Sequence, residues 1–266
     1  MAPTRESRVA LWATAAAKML QLFALYCITV GHVVAQSDDM QKLWMGTWTM
    51  TEETTNERYL ACCDGPALEV PLTPKYRKIR DAFAAIPFAT REKTVGNLPH
   101  CITPGMPGEV QHPLLFEFVW SPGRVNILFQ DGSYRRIWTD GRKFPETPTP
   151  TYQGYSIGHW EGDTLVVETR GISTKSEMFQ SSPINTTRHT KVIERITVKH
   201  EKLKSRLTES EKFLRIETTL EDPEVFLRPY TFSMTFIAVP ITFETGCAAN
   251  NRDNGTSFDL TPPDDD

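Results

Sequence analysis

Two stretches of this chain bring residue types capable of chemistry into close spacing. The first is Gly154-Tyr155-Ser156-Ile157-Gly158, which fits the G-x-S-x-G pattern of a serine hydrolase. A nucleophilic serine of that kind needs a strand, a strained turn and a following helix. Its oxygen is then exposed and backbone N–H groups hold the oxyanion. Here Ser156 is followed by Trp160, a Glu161-Gly162-Asp163 turn and the strand-like Leu165-Val166-Val167-Glu168. No helix begins there, and Tyr152 to Thr169 reads as a β-hairpin around a glycine-bearing turn. His189, His200 and Asp163 match a triad by type, but nothing in the sequence places them together. Gly154 and Gly158 are instead expected to let neighbouring chain approach closely at a sheet corner.

The same hairpin holds His159-Trp160-Glu161. In a strand, His159 and Glu161 share one face, while Ser156, Gly158 and Trp160 take the other. A histidine and a carboxylate beside an apolar cavity suit general acid–base work, so His159 and Glu161 are the acid/base candidates. The second stretch is Arg135-Arg136-Ile137-Trp138-Thr139-Asp140-Gly141-Arg142. Parity puts Arg136 and Trp138 on one face, Arg135 and Ile137 on the other. An inward arginine must be paired, because a bare buried charge is expensive. Asp140, Glu161, Asp163 and Glu194 are the available acids. Two roles are open: an ion-pair network at a barrel end, or an arginine whose fork orients a ligand carboxylate. The binding candidates are Arg136, Asp140, Arg142, Tyr155, Trp160 and Glu194. There is no CxxC, HxH or HExxH, and the six histidines are scattered, so no metal or cofactor is expected.

These residues need a scaffold, and composition indicates which kind. The chain has 266 residues, 39% apolar and 23% charged, enough for a packed core. Its 14 Phe, 7 Tyr and 6 Trp favour a β-rich fold. Net charge is −4 and no long basic run occurs, which argues against a nucleic-acid partner.

Residues 1–35 read as a cleaved signal peptide. Arg5, Arg8 and Lys18 form a basic front, Met19 to Val30 an apolar core, and Val33-Val34-Ala35 the approach to a cut before Gln36. No stable membrane anchor is expected after cleavage, and the mature protein is expected to be periplasmic or secreted. Cys62, Cys63, Cys101 and Cys247 would remain in an oxidising compartment, with three possible pairings. Vicinal Cys62 and Cys63 bond poorly to each other, and their pairing stays open; the preferred bridge is Cys101 with Cys247, which would tie an early loop to the end of the domain. Closing so long a loop contributes up to about 4–5 kcal/mol in the chain-entropy model.

A polar lead, 36–43, precedes an expected β-barrel domain, 44–253, and a disordered tail, 254–266. Leu43 to Met50 alternates as a first strand. Lys75 to Ala89 suggests a helix that starts at Pro74 and ends near Pro87, with Tyr76, Ile79, Phe83 and Ile86 on one face. A Pro/Gly loop runs from Leu98 to Gly108. Strands follow at Leu115–Trp120, Val125–Gln130, Tyr134–Trp138, Lys191–His200, Phe213–Leu220 and Tyr230–Val239, with the hairpin between the third and fourth. A Pro-rich connection ends at Gln153, and Gly171 to Thr190 is a long polar loop of lid or mouth type. The expected class is all-β with minor α: a single antiparallel β-barrel with one helix and the Pro/Gly loop packed against it.

The chain also resembles a large family of exported bacterial proteins over about residues 44–252. The resemblance is carried by Gly46-Thr47-Trp48, Pro71-Leu72-Thr73-Pro74 and Cys101-Ile102-Thr103-Pro104-Gly105-Met106-Pro107. It continues through Arg136 to Arg142, Gly154 to Thr169, Glu194-Arg195, Asp222-Pro223, Arg228-Pro229-Tyr230 and Cys247 to Arg252. Gly46-Thr47-Trp48 also resembles the G-x-W of lipocalin-like barrels, whose Trp closes one barrel end. The chain departs from the family at Tyr155, where His is expected, at Gly108, where Arg is usual, and at Gln130, where an acid is common. The resemblance implies export and a β fold, and no activity.

The leading expectation is an exported binding protein whose partner is a small hydrophobic molecule held in the barrel. The rival is a cofactor-free isomerase, lyase or hydratase acting on such a molecule, and the third reading is a structural envelope protein. A cavity lined by Arg136, His159 or Glu194 would favour the enzyme. An apolar cavity would favour the binder, and an aromatic-filled barrel the structural role.

Overall fold

A computed structural model describes residues 40–51, 70–87, 97, 101–180, 182–204 and 209–240. The predicted signal peptide, the tail, Cys62, Cys63 and Cys247 lie outside these residues. The chain divides between Met45 and Gly46 into two units. In the first, residues 40–44 are helical. The first strand therefore starts later than its alternation predicts, at Thr47. Gly46, with φ 119, makes the break between helix and strand.

The second unit holds a closed nine-stranded barrel. In chain order its strands are β1 (Thr47–Met50), β2 (Phe116–Ser121), β3 (Arg124–Phe129), β4 (Tyr134–Trp138), β5 (Tyr155–Glu161), β6 (Thr164–Arg170) and β7 (Lys191–Lys199). After a small separate hairpin, β8 (Leu203–Lys204) and β9 (Glu209–Ser210), come β10 (Phe213–Glu221) and β11 (Tyr230–Val239). Strand β1 closes the ring, with Trp48 opposite Ala238 on one side and Phe116 on the other.

The expected fully antiparallel barrel needs one correction. Strands β4 and β5 pair in parallel, Ile137 with Ser156 and Trp138 with Ile157. The connection between them explains this. A parallel neighbour requires a crossover of a dozen or more residues, and 139–154 is long enough to run back along the wall. Pro145, Pro148 and Pro150 deny it the N–H groups a ladder needs, so it cannot become a strand itself.

Inward positions follow period two. Val192, Glu194, Ile196 and Val198 of β7 are buried, as are Leu214, Ile216, Thr218 and Leu220 of β10. Phe116 meets Phe236 at 5.1 Å, Phe118 at 5.8 Å and Phe129 at 5.9 Å, an aromatic cluster in the barrel core. Edge contacts of this kind contribute about 0.5–1.5 kcal/mol each beyond area burial. At the end formed by the tight turns Ser121–Arg124 and Glu161–Thr164, Trp120 stacks on Trp160 at 5.8 Å and 17°. Trp48 is fully buried, with Lys212 Nζ 5.2 Å from its ring centroid.

The other end gathers the long segments. Helix α1 (Pro74–Ala84) starts at its proline, as its sequence predicts, and buries Phe83. Its lead is tied to the β10–β11 connection: Leu72 bridges Phe226, and Thr73 Oγ1 donates to Glu224 O at 2.9 Å. The Pro/Gly loop and the 171–190 loop join through Glu177 N to Pro104 O and Gly108 N to Glu177 O. Among the described residues no helix is long and apolar enough to cross a membrane. The outward strand faces carry charge, including exposed Arg136, His159, Glu161, Arg195 and Arg215.

Candidate functional site

Strand β5 places Ser156 inside the barrel, in a regular ladder with Thr169 of β6, and not on an elbow before a helix. Its neighbour there is an arginine, Arg135. Arg135 Nε donates to Ser156 Oγ at 3.1 Å and Nη2 donates to Thr169 Oγ1 at 2.8 Å. Nη1 and Nη2 donate to the two oxygens of Glu194, at 3.1 and 2.5 Å. Ser156 and Thr169 hydroxyls are 2.8 Å apart. Arg135 is 1% exposed and Glu194 0%, so this is a buried bidentate ion pair whose remaining demands are met by two hydroxyls. One polar atom at this level is left over. Thr218, opposite Glu194 on β10, is fully buried, and its hydroxyl makes no hydrogen bond among the described residues.

The inward arginine is thus Arg135 and the outward one Arg136. Arg136 is exposed, 5.0 Å from the Tyr134 ring centroid, and it does not meet Glu194. His159 and Glu161 also lie outside, as their shared parity with Arg136's face would place them. His159 Nε2 is 3.2 Å from Glu161 Oε1, and Arg195 Nη1 donates to Glu161 Oε2 at 2.9 Å. Arg195 first, and His159 after it, pull the Glu161 carboxyl below its ordinary value. Both acid/base candidates are exposed and face solvent on the outer wall. Trp160 points the other way, to its stack with Trp120.

Three other predicted residues do come together, on the outer wall. Arg142 donates to Asp140 Oδ2 from Nη2 at 2.5 Å and from Nε at 3.0 Å. Its guanidinium lies 3.5 Å from the Trp138 ring centroid. The Arg142 bond pushes the Asp140 carboxyl down to about 2. Asp140, and behind it the Tyr155 hydroxyl, raise the Arg142 guanidinium above its usual value. Tyr155 meets Phe144 at 6.0 Å, and Arg170 lies 4.7 Å over Phe144. The result is a row of arginines and rings, Trp138, Arg142, Tyr155, Phe144 and Arg170, along the Pro-rich connection.

That row ends at a cavity of about 450 Å3, open on one side. Phe144, Pro145, Glu146, Pro148 and Pro150 line it from the connection, Arg170 from the end of β6, and Gly171 to Thr174 and Arg188 from the 171–190 loop. Thr151 N donates to Gly171 O at 3.1 Å and Ser173 N to Thr151 O at 2.8 Å, which locks the two segments together. Gly171, with φ 64, is required: a Cβ there would meet Pro148 Cβ at 2.7 Å. None of the residues singled out from the sequence lines this cavity. The available signal was the Pro-rich connection and the long polar loop, whose meeting depends on the parallel β4–β5 pairing.

A second buried polar cluster sits under the Pro/Gly loop. Glu109 Oε2 accepts from Thr103 Oγ1 at 2.5 Å, Gly105 N at 3.0 Å and Gln153 Nε2 at 3.0 Å. Ser133 Oγ donates to Oε1 at 3.1 Å. Burial first, then the nearby Asp131 charge, push the Glu109 carboxyl up. His112 Nε2 lies 2.9 Å from Glu177 Oε2, both buried. These groups staple loops to each other and to the barrel rim. Among the described residues no three His, Cys, Asp or Glu side chains converge as metal ligands.

No protein-family model, no curated protein and no solved structure matches this chain.

Proposed function

We propose that the protein is a small-molecule-binding β-barrel protein, exported to the periplasm or beyond, whose ligand sits in the cavity on the barrel's flank. The single observation that carries this reading is that cavity. It has about the volume of a small organic ligand. Three prolines and Phe144 give it a stiff, largely apolar wall that needs little ordering on binding. The predicted residues do not support chemistry inside the barrel: the acid/base candidates His159 and Glu161 face solvent, and the binding candidate Glu194 is spent on Arg135. Export and membership of the exported bacterial family belong to the same proposal, supported by the basic front and apolar stretch of residues 1–35. A lipocalin-like plan is part of it too, supported by the buried Trp48 of Gly46-Thr47-Trp48.

The test is binding of the neutral apolar dye Nile red, followed by fluorescence, to the native protein and to Thr174→Trp. Thr174 is exposed at the cavity rim, so the indole should fill the site without disturbing the fold. Saturable binding that weakens at least about tenfold in the variant is the expected result, since an occluded pocket loses most of the contacts that hold a ligand. Equal binding by both proteins would reject the site.

A further inference from the structure

We propose that the ligand of this cavity is a monocarboxylate with a short apolar body, and that Arg188 receives its carboxylate. The inference rests on the binding reading above and adds the ligand's charge. Two arginines line the cavity, and they are not equivalent. Arg170 Nε donates to Glu168 Oε1 at 2.5 Å and its guanidinium covers Phe144, so its charge is already answered. Arg188 touches no carboxylate among the described residues. Its Nε donates to His189 Nε2 at 3.0 Å, a nitrogen that also lies 3.3 Å from Glu224 Oε1; the Glu224 carboxylate is reached only through this imidazole, and both terminal nitrogens of Arg188 stay free to donate. Two parallel N–H groups on one guanidinium edge match a carboxylate's two oxygens.

The turn that presents Arg188 is held from beneath. Thr187 Oγ1 and Thr190 Oγ1 both donate to the buried Asp222 Oδ2, at 2.8 and 2.5 Å, and Thr187 N donates to Thr190 Oγ1 at 2.8 Å. A guanidinium on a fixed turn loses less freedom on binding than one on a loose loop. Ser173 and Thr174 add hydroxyl donors. Ser173 Oγ accepts from Lys175 N at 3.3 Å and keeps its own proton, and Thr174's hydroxyl is unengaged among the described residues. Glu146, exposed on the same cavity and without a partner among the described residues, sets the limit of one negative charge. A dianion would meet repulsion there that a monoanion bound at Arg188 largely avoids.

The experiment is isothermal titration at low salt with octanoate and phenylacetate, against octanamide and phenylacetamide. Low salt matters because exposed charges are screened. The carboxylates should bind about tenfold tighter than their amides, the usual gain of a charge-assisted pair over a neutral one. Arg188→Gln should bring carboxylate affinity down to the amide level and leave the amides unchanged, which also shows that the variant's cavity is intact. Glu146→Gln should tighten the carboxylates by about twofold, as expected for relief of a screened repulsion. Equal affinity for acids and amides, or an acid preference that survives Arg188→Gln, overturns the assignment while the binding reading stands. No saturable binding by any of the four overturns both.

Discussion

Arg135 and Arg188 put the same side chain to opposite uses. Arg135 is buried in the barrel and makes four hydrogen bonds, two of them to Glu194. Arg188 is exposed on a turn pinned by Asp222 and makes one, to a neighbouring histidine. A saturated arginine has nothing left with which to recognise a ligand, whereas it resists the loss of its partner. An unsaturated one adds little to the fold and is available to bind. The difference teaches that charge inside a barrel is not by itself a site; what counts is which hydrogen-bonding capacity the fold leaves unused.

The comparison can be broken most forcibly at Arg135. Arg135→Met leaves Glu194 buried without its counter-charge and should cost about 3–5 kcal/mol, read as a lower midpoint in urea denaturation. Arg135→Met with Glu194→Met should recover most of that, because replacing both partners removes the stranded charge. A double variant as unstable as the single one would mean that the pair itself, and not the stranded charge, supplies the stability. A smaller change sharpens the same point. Thr218→Val removes the one unengaged hydroxyl at that level and should stabilise by about 1 kcal/mol, since an unsatisfied buried hydroxyl is a standing cost. The smallest effect belongs to the flank. Arg188→Gln should leave the denaturation midpoint where it is, as most surface substitutions do.

Much of the barrel was legible because its signals are local. Gly162 occupies positive φ at the Glu161-Gly162-Asp163 turn that the sequence marks. Strands β4 and β11 run over the residues their alternation predicts, and Pro74 starts the helix. Parity alone separated Ser156 from His159 correctly. The choice between Arg135 and Arg136 was not legible. Tyr134-Arg135-Arg136-Ile137-Trp138 offers an arginine and a bulky apolar residue on each face, so only the register against Ser156 and Val125 decides. The parallel pairing was hidden too, since a proline-rich connection says that the chain does not pair but not where it returns. With it went the cavity, whose walls lie some twenty to forty residues apart in two loops that carry no motif.

The measurement closest to the central claim is a map of backbone chemical shifts as phenylacetate is titrated into the isotopically labelled protein. The account predicts changes clustered at residues 144–151, 170–174 and 188, with the barrel interior undisturbed. Changes centred instead on Ser156, Thr169, Glu194 and Thr218 would place the ligand inside the barrel and contradict it.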